Sequence, residues 1–154
     1  MEGKSYDKIM IATDGSKQVE KAVKSAVELA RLTGARLYAV YVIASTGYTP
    51  RNFGWEESLR EILEAEAKRA VTFVEEAGKN SGIEVESVIL DGHPADRVME
   101  FAEQEGIDLI VMGTLGRTGL DRFLLGSIAE KVVRHSKTPV MVVKGETANE
   151  EPVL

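Results

Sequence analysis

The chain has 154 residues, no cysteine and a formal net charge of −6. That length suits one domain around one core, and the missing cysteines exclude disulfide frameworks, thiolate metal sites and cysteine nucleophiles. The acidic charge argues against nucleic acid, whose phosphates demand cations; no apolar run nears the roughly 20 residues that span a bilayer; and MEGKSYDK is too polar for a signal peptide, so a cytoplasmic protein is expected.

The first apolar run is Lys8 to Thr13, KIMIAT, a strand. DGS follows as a turn, with Ser16 placed to cap a helix. Apolar residues then fall at Val19, Ala22, Val23, Ala26 and Ala30, which is helical spacing, and Gly34 stops that helix. Its lysines Lys17, Lys21 and Lys24 share one side with Glu20 and Glu28 interleaved, which reads as a solvated face. Arg36 to Ile43 is the second strand. The stretch from Ala44 to Trp55 is a loop rich in Gly, Pro and aromatics. A long helix starts near Glu56, with the stripe Leu59, Ile62, Leu63, Ala70, Phe73, Val74 and Ala77, and Ser81-Gly82 ends it.

The third strand is Glu84 to Leu90. Asp91-Gly92 reads as a turn, and Pro94 suits the start of a short helix that Gly106 ends. Asp108 to Met112 is the fourth strand. The last helix begins at Ser127 and the last strand is Pro139 to Val143. Strands alternating with helices predict a parallel sheet covered on both faces, with right-handed crossovers. Residues 1–144 form the one domain, and 145–154 a polar, acidic tail.

Ligands of open parallel sheets sit beyond the carboxyl ends of the strands, where the strand order reverses. The connection after the fourth strand, Gly113 to Ser127, reads GTLGRTGLDRFLLGS. Strand-to-helix connections commonly take about 2–6 residues. This one is far longer and carries Gly113, Gly116, Gly119 and Gly126, which let a ligand approach the backbone amides. It feeds a helix start, where free amides and the dipole favour an anion, and Arg117 and Arg122 add charge for phosphate oxygens. A plainer reading stays open beside the phosphate cradle. Ser127-Ile-Ala-Glu130 is a capping box, and Gly126 would serve a tight turn. The pattern is neither a Walker loop nor a dinucleotide fingerprint.

The motif Gly113, two residues, Gly116, nine residues, Gly126, then Ser127 resembles the ATP-binding branch of the universal stress proteins. The likeness extends to KIMIATDGS at the start, to Gly92-His93-Pro94, and from DLIVM to TPVMVV. The Ala44–Trp55 loop and the tail depart from it. The resemblance implies a five-stranded sheet in the order 3-2-1-4-5 with two helices on each face. It implies that Gly116, Gly126 and Ser127 hold the phosphates of ATP, with Arg117 nearby and Ile128 donating its amide. Gly113 and Met112 would lie by the ribose and the start of the loop. Ala12, Thr13 and Asp14 would flank the nucleoside, with Asp14 on the ribose or in a magnesium shell, and Val42 would read the adenine edge through its backbone. It also implies a nucleotide-dependent switch in stress adaptation, with Mg²⁺ at residues left unassigned, and a homodimer through the apolar edge strand Pro139–Val143.

Three rivals compete. A phosphorelay receiver would use Asp14, Asp91, Thr114 and Lys144, but it needs a second acid beside the first, where Gly15 stands, and a proline after its lysine, where Gly145 stands. An adenylate-forming or nucleotidyl-transferring enzyme would need His-x-x-His or Ser-Gly-Gly signatures that are missing. His93 and His135 sit in separate contexts, each read as structural. A dimeric scaffold without nucleotide would not need the complete loop motif. No nucleophile with an adjacent base is visible, so at most slow hydrolysis is expected.

Overall fold

The computed structural model describes residues 5–44, 55–114 and 125–145. Five strands and four helices alternate: β1 (Lys8–Ala12), α1 (Glu20–Thr33), β2 (Arg36–Ala44), α2 (Trp55–Asn80), β3 (Val85–Gly92), α3 (Pro94–Glu105), β4 (Leu109–Gly113), α4 (Ser127–His135) and β5 (Val140–Val143). A single 3-10 turn, Lys17–Val19, leads into α1. The strands form one sheet in the order β3-β2-β1-β4-β5, every neighbouring pair parallel. The order and the helix placement follow the expectation.

Strand alternation sends successive side chains to opposite faces. Ile9, Ile11, Leu37, Ala39 and Ile43 pack under α1 and α2, against Val23, Ala26, Val71 and Val74. Met10, Tyr38, Val40 and Ile110 pack on the other face against Val98 and Ala102 of α3 and Val132 of α4. Both faces are therefore buried, which is why the central strands read as unbroken apolar runs rather than alternating ones. Each fully buried Ile, Leu or Val contributes roughly 1.5–3 kcal/mol. Gly34 ends α1 at a φ of 74°, its amide donating to the Ala30 carbonyl at 2.9 Å.

Three boundaries differ from the sequence reading. β3 runs on through Asp91 and Gly92, paired with Ile43 and Ala44 of β2, so Asp-Gly is strand here and not a turn. The ladder to a long neighbouring strand outweighs the local turn preference. Ser127 is the first residue of α4 and Gly126 is its N-cap, without a side-chain cap bond. The expected capping box therefore does not form, because Ser127 already lies inside the helix. Ser16 precedes the 3-10 turn, but its buried hydroxyl makes no cap bond and has no hydrogen-bond partner among the described residues.

Candidate nucleotide site

β1 leads to α1 on one face of the sheet, and β4 leads to α4 on the other. The strands are neighbours, so their carboxyl ends open a crevice between the two departing chains. Ala12 and Met112 pair in register at its base. Their side chains, with that of Val42, belong to the face covered by α3 and α4, together with Leu125 just before the last helix.

The β1–β2 ladder stops at Ala12 and Val40. Thr13 adds one more bond, its amide donating to the Val40 carbonyl at 3.0 Å. Two residues further, the amide and carbonyl of Val42 point the same way as those of Val40, into the column that β1 has left. Among the described residues no backbone group meets them. Buried backbone groups are nearly always paired, so this open edge fits the donor and acceptor of a planar heterocycle. Thr13 itself is buried, and its hydroxyl accepts the Gly15 amide at 3.1 Å. Oδ1 of Asp14 accepts the Ser16 amide at 2.9 Å. These local bonds fix the turn that carries Asp14 at the mouth of the crevice.

On the β4 side, the Thr114 amide donates to the Val143 carbonyl at 3.2 Å, and the Thr114 carbonyl accepts the Gly126 amide at 2.6 Å. The Gly126 carbonyl in turn accepts the Glu130 amide at 2.8 Å. The Gly126 amide is thus already used. The amides that remain for an anion are those of the first helical turn, beginning at Ser127 and Ile128, both exposed. Gly126 has a φ of −59° and a ψ of 153°, a region open to any residue. Its glycine is therefore not required by backbone conformation. Thr114, named in the sequence only for a receiver, is the link that positions the helix start. Its place directly after Gly113 was the only signal. Gly116, Arg117, Gly119 and Arg122 lie outside the described residues, as does most of the Ala44–Trp55 loop.

The receiver constellation is not brought together. β3 stands at the sheet edge with β2 between it and β1. Asp91 therefore lies two strand spacings from Asp14, roughly 10 Å at about 4.8 Å each. Its carboxylate instead meets Arg60 at 3.2 Å. His93 and His135, placed apart by the sequence reading, both act on Asp96. That carboxyl is held below its ordinary value first by a hydrogen bond from Lys131, with further attraction from Lys131, His93 and His135. Among the described residues no group of three His, Asp or Glu side chains converges as a metal site.

The family model for the universal stress proteins matches residues 5–144. Universal stress protein MJ0531 of Methanocaldococcus jannaschii is 41% identical over 141 residues, 90% of this chain and 82% of that one. The solved structure of hypothetical protein MJ0577 superimposes with a TM-score of 0.82 at 32% identity, covering 94% of this chain and 100% of the other. A universal stress protein from Archaeoglobus fulgidus, solved in complex with dAMP, gives a TM-score of 0.68 at 28% identity, covering 92% and 100%.

Proposed function

The chain belongs to the universal stress protein family, and from that premise we propose that it binds ATP in the crevice between β1 and β4 and serves as a nucleotide-dependent switch. The observation that carries the proposal is the pairing of two unsatisfied backbone surfaces across one crevice. The Val42 edge suits an adenine, and the start of α4 suits phosphates. A family member in complex with dAMP supports an adenine ligand.

In this reading Val42 reads the base edge through its amide and carbonyl. Ala12, Thr13 and Met112 wall the nucleoside, and Gly113 lies by the ribose. Asp14 meets the ribose hydroxyls or a magnesium shell. Ser127 and Ile128 donate amides to the phosphates, with Gly116 and Arg117 of the preceding loop closing over them. A magnesium ion would be held largely by phosphate oxygens and water, with one carboxylate at most, which is ordinary for nucleotide-bound magnesium. Turnover would be slow, since positioning and charge are supplied without a recognised base. The working form would be a homodimer joined through β5.

Thermal unfolding with and without nucleotide tests the proposal. A ligand that binds only the native state adds about 2.7 kcal/mol at a free concentration near one hundred times Kd. Millimolar Mg-ATP should raise Tm by several degrees. An unchanged Tm with ATP, ADP and AMP alike would refute nucleotide binding, and a response to FAD or NAD alone would reassign the ligand.

A further inference from the structure

We infer, on the premise of the nucleotide site above, that Lys144 meets the terminal phosphates of the bound nucleotide and makes the site favour di- and triphosphates over the monophosphate. In a receiver this lysine would serve a phospho-aspartate, and the separation of Asp91 from Asp14 removes that role. Its place in the fold remains. All five strands are parallel, so the carboxyl end of β5 opens on the same edge of the sheet as those of β1, β2 and β4. Ligands of such sheets sit along that edge.

Two backbone contacts pin Lys144. Just before it, the Val143 carbonyl accepts the Thr114 amide at 3.2 Å, and the Thr114 carbonyl accepts the Gly126 amide at 2.6 Å. Lys144 is thereby tied to the same residue that positions the start of α4. Just after it, Gly145 packs so closely on the lead-in to α1 that a Cβ there would collide with the Gln18 carbonyl oxygen. The glycine that stands where a receiver has proline is required by this close approach. The backbone of Lys144 is thus held on both sides, and its side chain is exposed.

That side chain has no local electrostatic task. Lys144 meets no carboxylate among the described residues, whereas Lys131, Arg134 and Lys137 on and after α4 each do. A lysine ammonium is a compact point charge with three rotatable donors on a flexible stem, and phosphate oxygens are strong acceptors for it.

The strand order decides which phosphate it meets. From β2 to β5 is three strand spacings, roughly 14 Å at about 4.8 Å each. In the proposed pose the base lies at the Val42 edge of β2 and the nucleoside over the end of β1. The phosphates begin at the Ser127 and Ile128 amides, beyond β4. Each further phosphate extends the ligand toward β5. A monophosphate stops short of Lys144, and a triphosphate reaches it.

Isothermal titration of the full chain with the magnesium salts of ATP, ADP and AMP tests this. Lys144→Gln should bind ATP about tenfold more weakly and AMP within about twofold of the parent, where tenfold is about 1.4 kcal/mol. Lys144→Arg should keep the ATP affinity. Lys24→Gln removes the same charge from the exposed side of α1 and should bind every nucleotide like the parent. The ATP affinity of Lys144→Gln should also fall less steeply with salt than the parent's, since one exposed charge contact is gone. Parent-like ATP affinity in Lys144→Gln would overturn the inference and leave the nucleotide reading standing. Equal losses for ATP and AMP would overturn it by making Lys144 a support of the whole site. An equal loss in Lys24→Gln would overturn it by assigning the effect to net charge. A parent silent to all three nucleotides would refute the nucleotide reading, and this inference with it.

Discussion

The Gly126 amide donates to the Thr114 carbonyl at 2.6 Å, and this bond decides which groups at the start of α4 are free. An anion bound there would meet the amides of Ser127 and Ile128 rather than that of Gly126. The value of glycine at 126 is then the space it leaves. Gly126→Val should fold, because φ −59° suits any residue, with a cost of about 1 kcal/mol or less at the N-cap. Its ATP affinity should drop by at least about tenfold, or about 1.4 kcal/mol. Isothermal titration alongside circular dichroism checks this, and parent-like affinity in a folded variant would remove Gly126 from the site.

Ser127→Ala separates the two readings of that serine. A lost N-cap would cost about 1 kcal/mol. Inside the first turn, the change should alter stability by no more than about 0.5 kcal/mol while weakening nucleotide binding. Urea unfolding gives the first quantity and titration the second. A loss of stability with unchanged affinity would restore the capping role.

Gly15 carries a φ of 74°, and a Cβ there would sit 3.1 Å from the Cβ of Ala70. Gly15→Ala should therefore cost about 1–2 kcal/mol from the left-handed backbone alone. The urea midpoint should fall with the slope unchanged. An unaltered midpoint would show that the Asp14 turn holds some other conformation in solution.

Asp96 gives a pH-dependent signature. Its folded carboxyl lies below the ordinary value, chiefly through Lys131. A depressed carboxyl adds stability above its unfolded pKa, near 3.9, and the contribution is lost as pH falls through the folded value. NMR titration should find Asp96 titrating at unusually low pH, and Lys131→Ala should move it up toward the ordinary range. An Asp96 titration unmoved by that substitution would shift the cause to the histidines.

The strand β5 pairs only with β4 among the described strands, and Met141 is 37% exposed on it. Val133 and Ile128 are exposed on α4. Such an edge invites a second copy. Light scattering should give about twice the monomer mass, and Val142→Lys should lower it toward one. A monomeric parent at tens of micromolar would contradict the dimer, and a dimeric Val142→Lys would move the interface elsewhere.

Much of the architecture was legible because buried strands such as Ile9–Ile11 and Leu109–Met112 announce themselves as apolar runs, and Gly34 and Gly106 stop helices in φ-positive conformations. The strand order was not legible from periodicity, which says nothing about neighbours, and came from the family likeness. Asp91-Gly92 misled because a turn-forming pair was absorbed into a ladder with Ile43 and Ala44. Ser127 misled because a serine one residue inside a helix has the same spacing to Glu130 as a true cap. The role of Thr114 was hidden, since a single backbone carbonyl leaves no trace in residue type. The backbone edge at Val42 came from the family likeness alone, since its physical basis is visible only once β1 is seen to end at Ala12.

The central claim is that one adenine nucleotide bridges the Val42 edge and the start of α4. Titration of the nitrogen-15 protein with Mg-ATP tests it residue by residue. The account predicts saturable shifts at the amides of Val42, Gly113, Ser127 and Ile128, with those of Lys131 to His135 almost unmoved. Shifts confined to the Arg69–Phe73 turn of α2, or none at millimolar ATP, would contradict it.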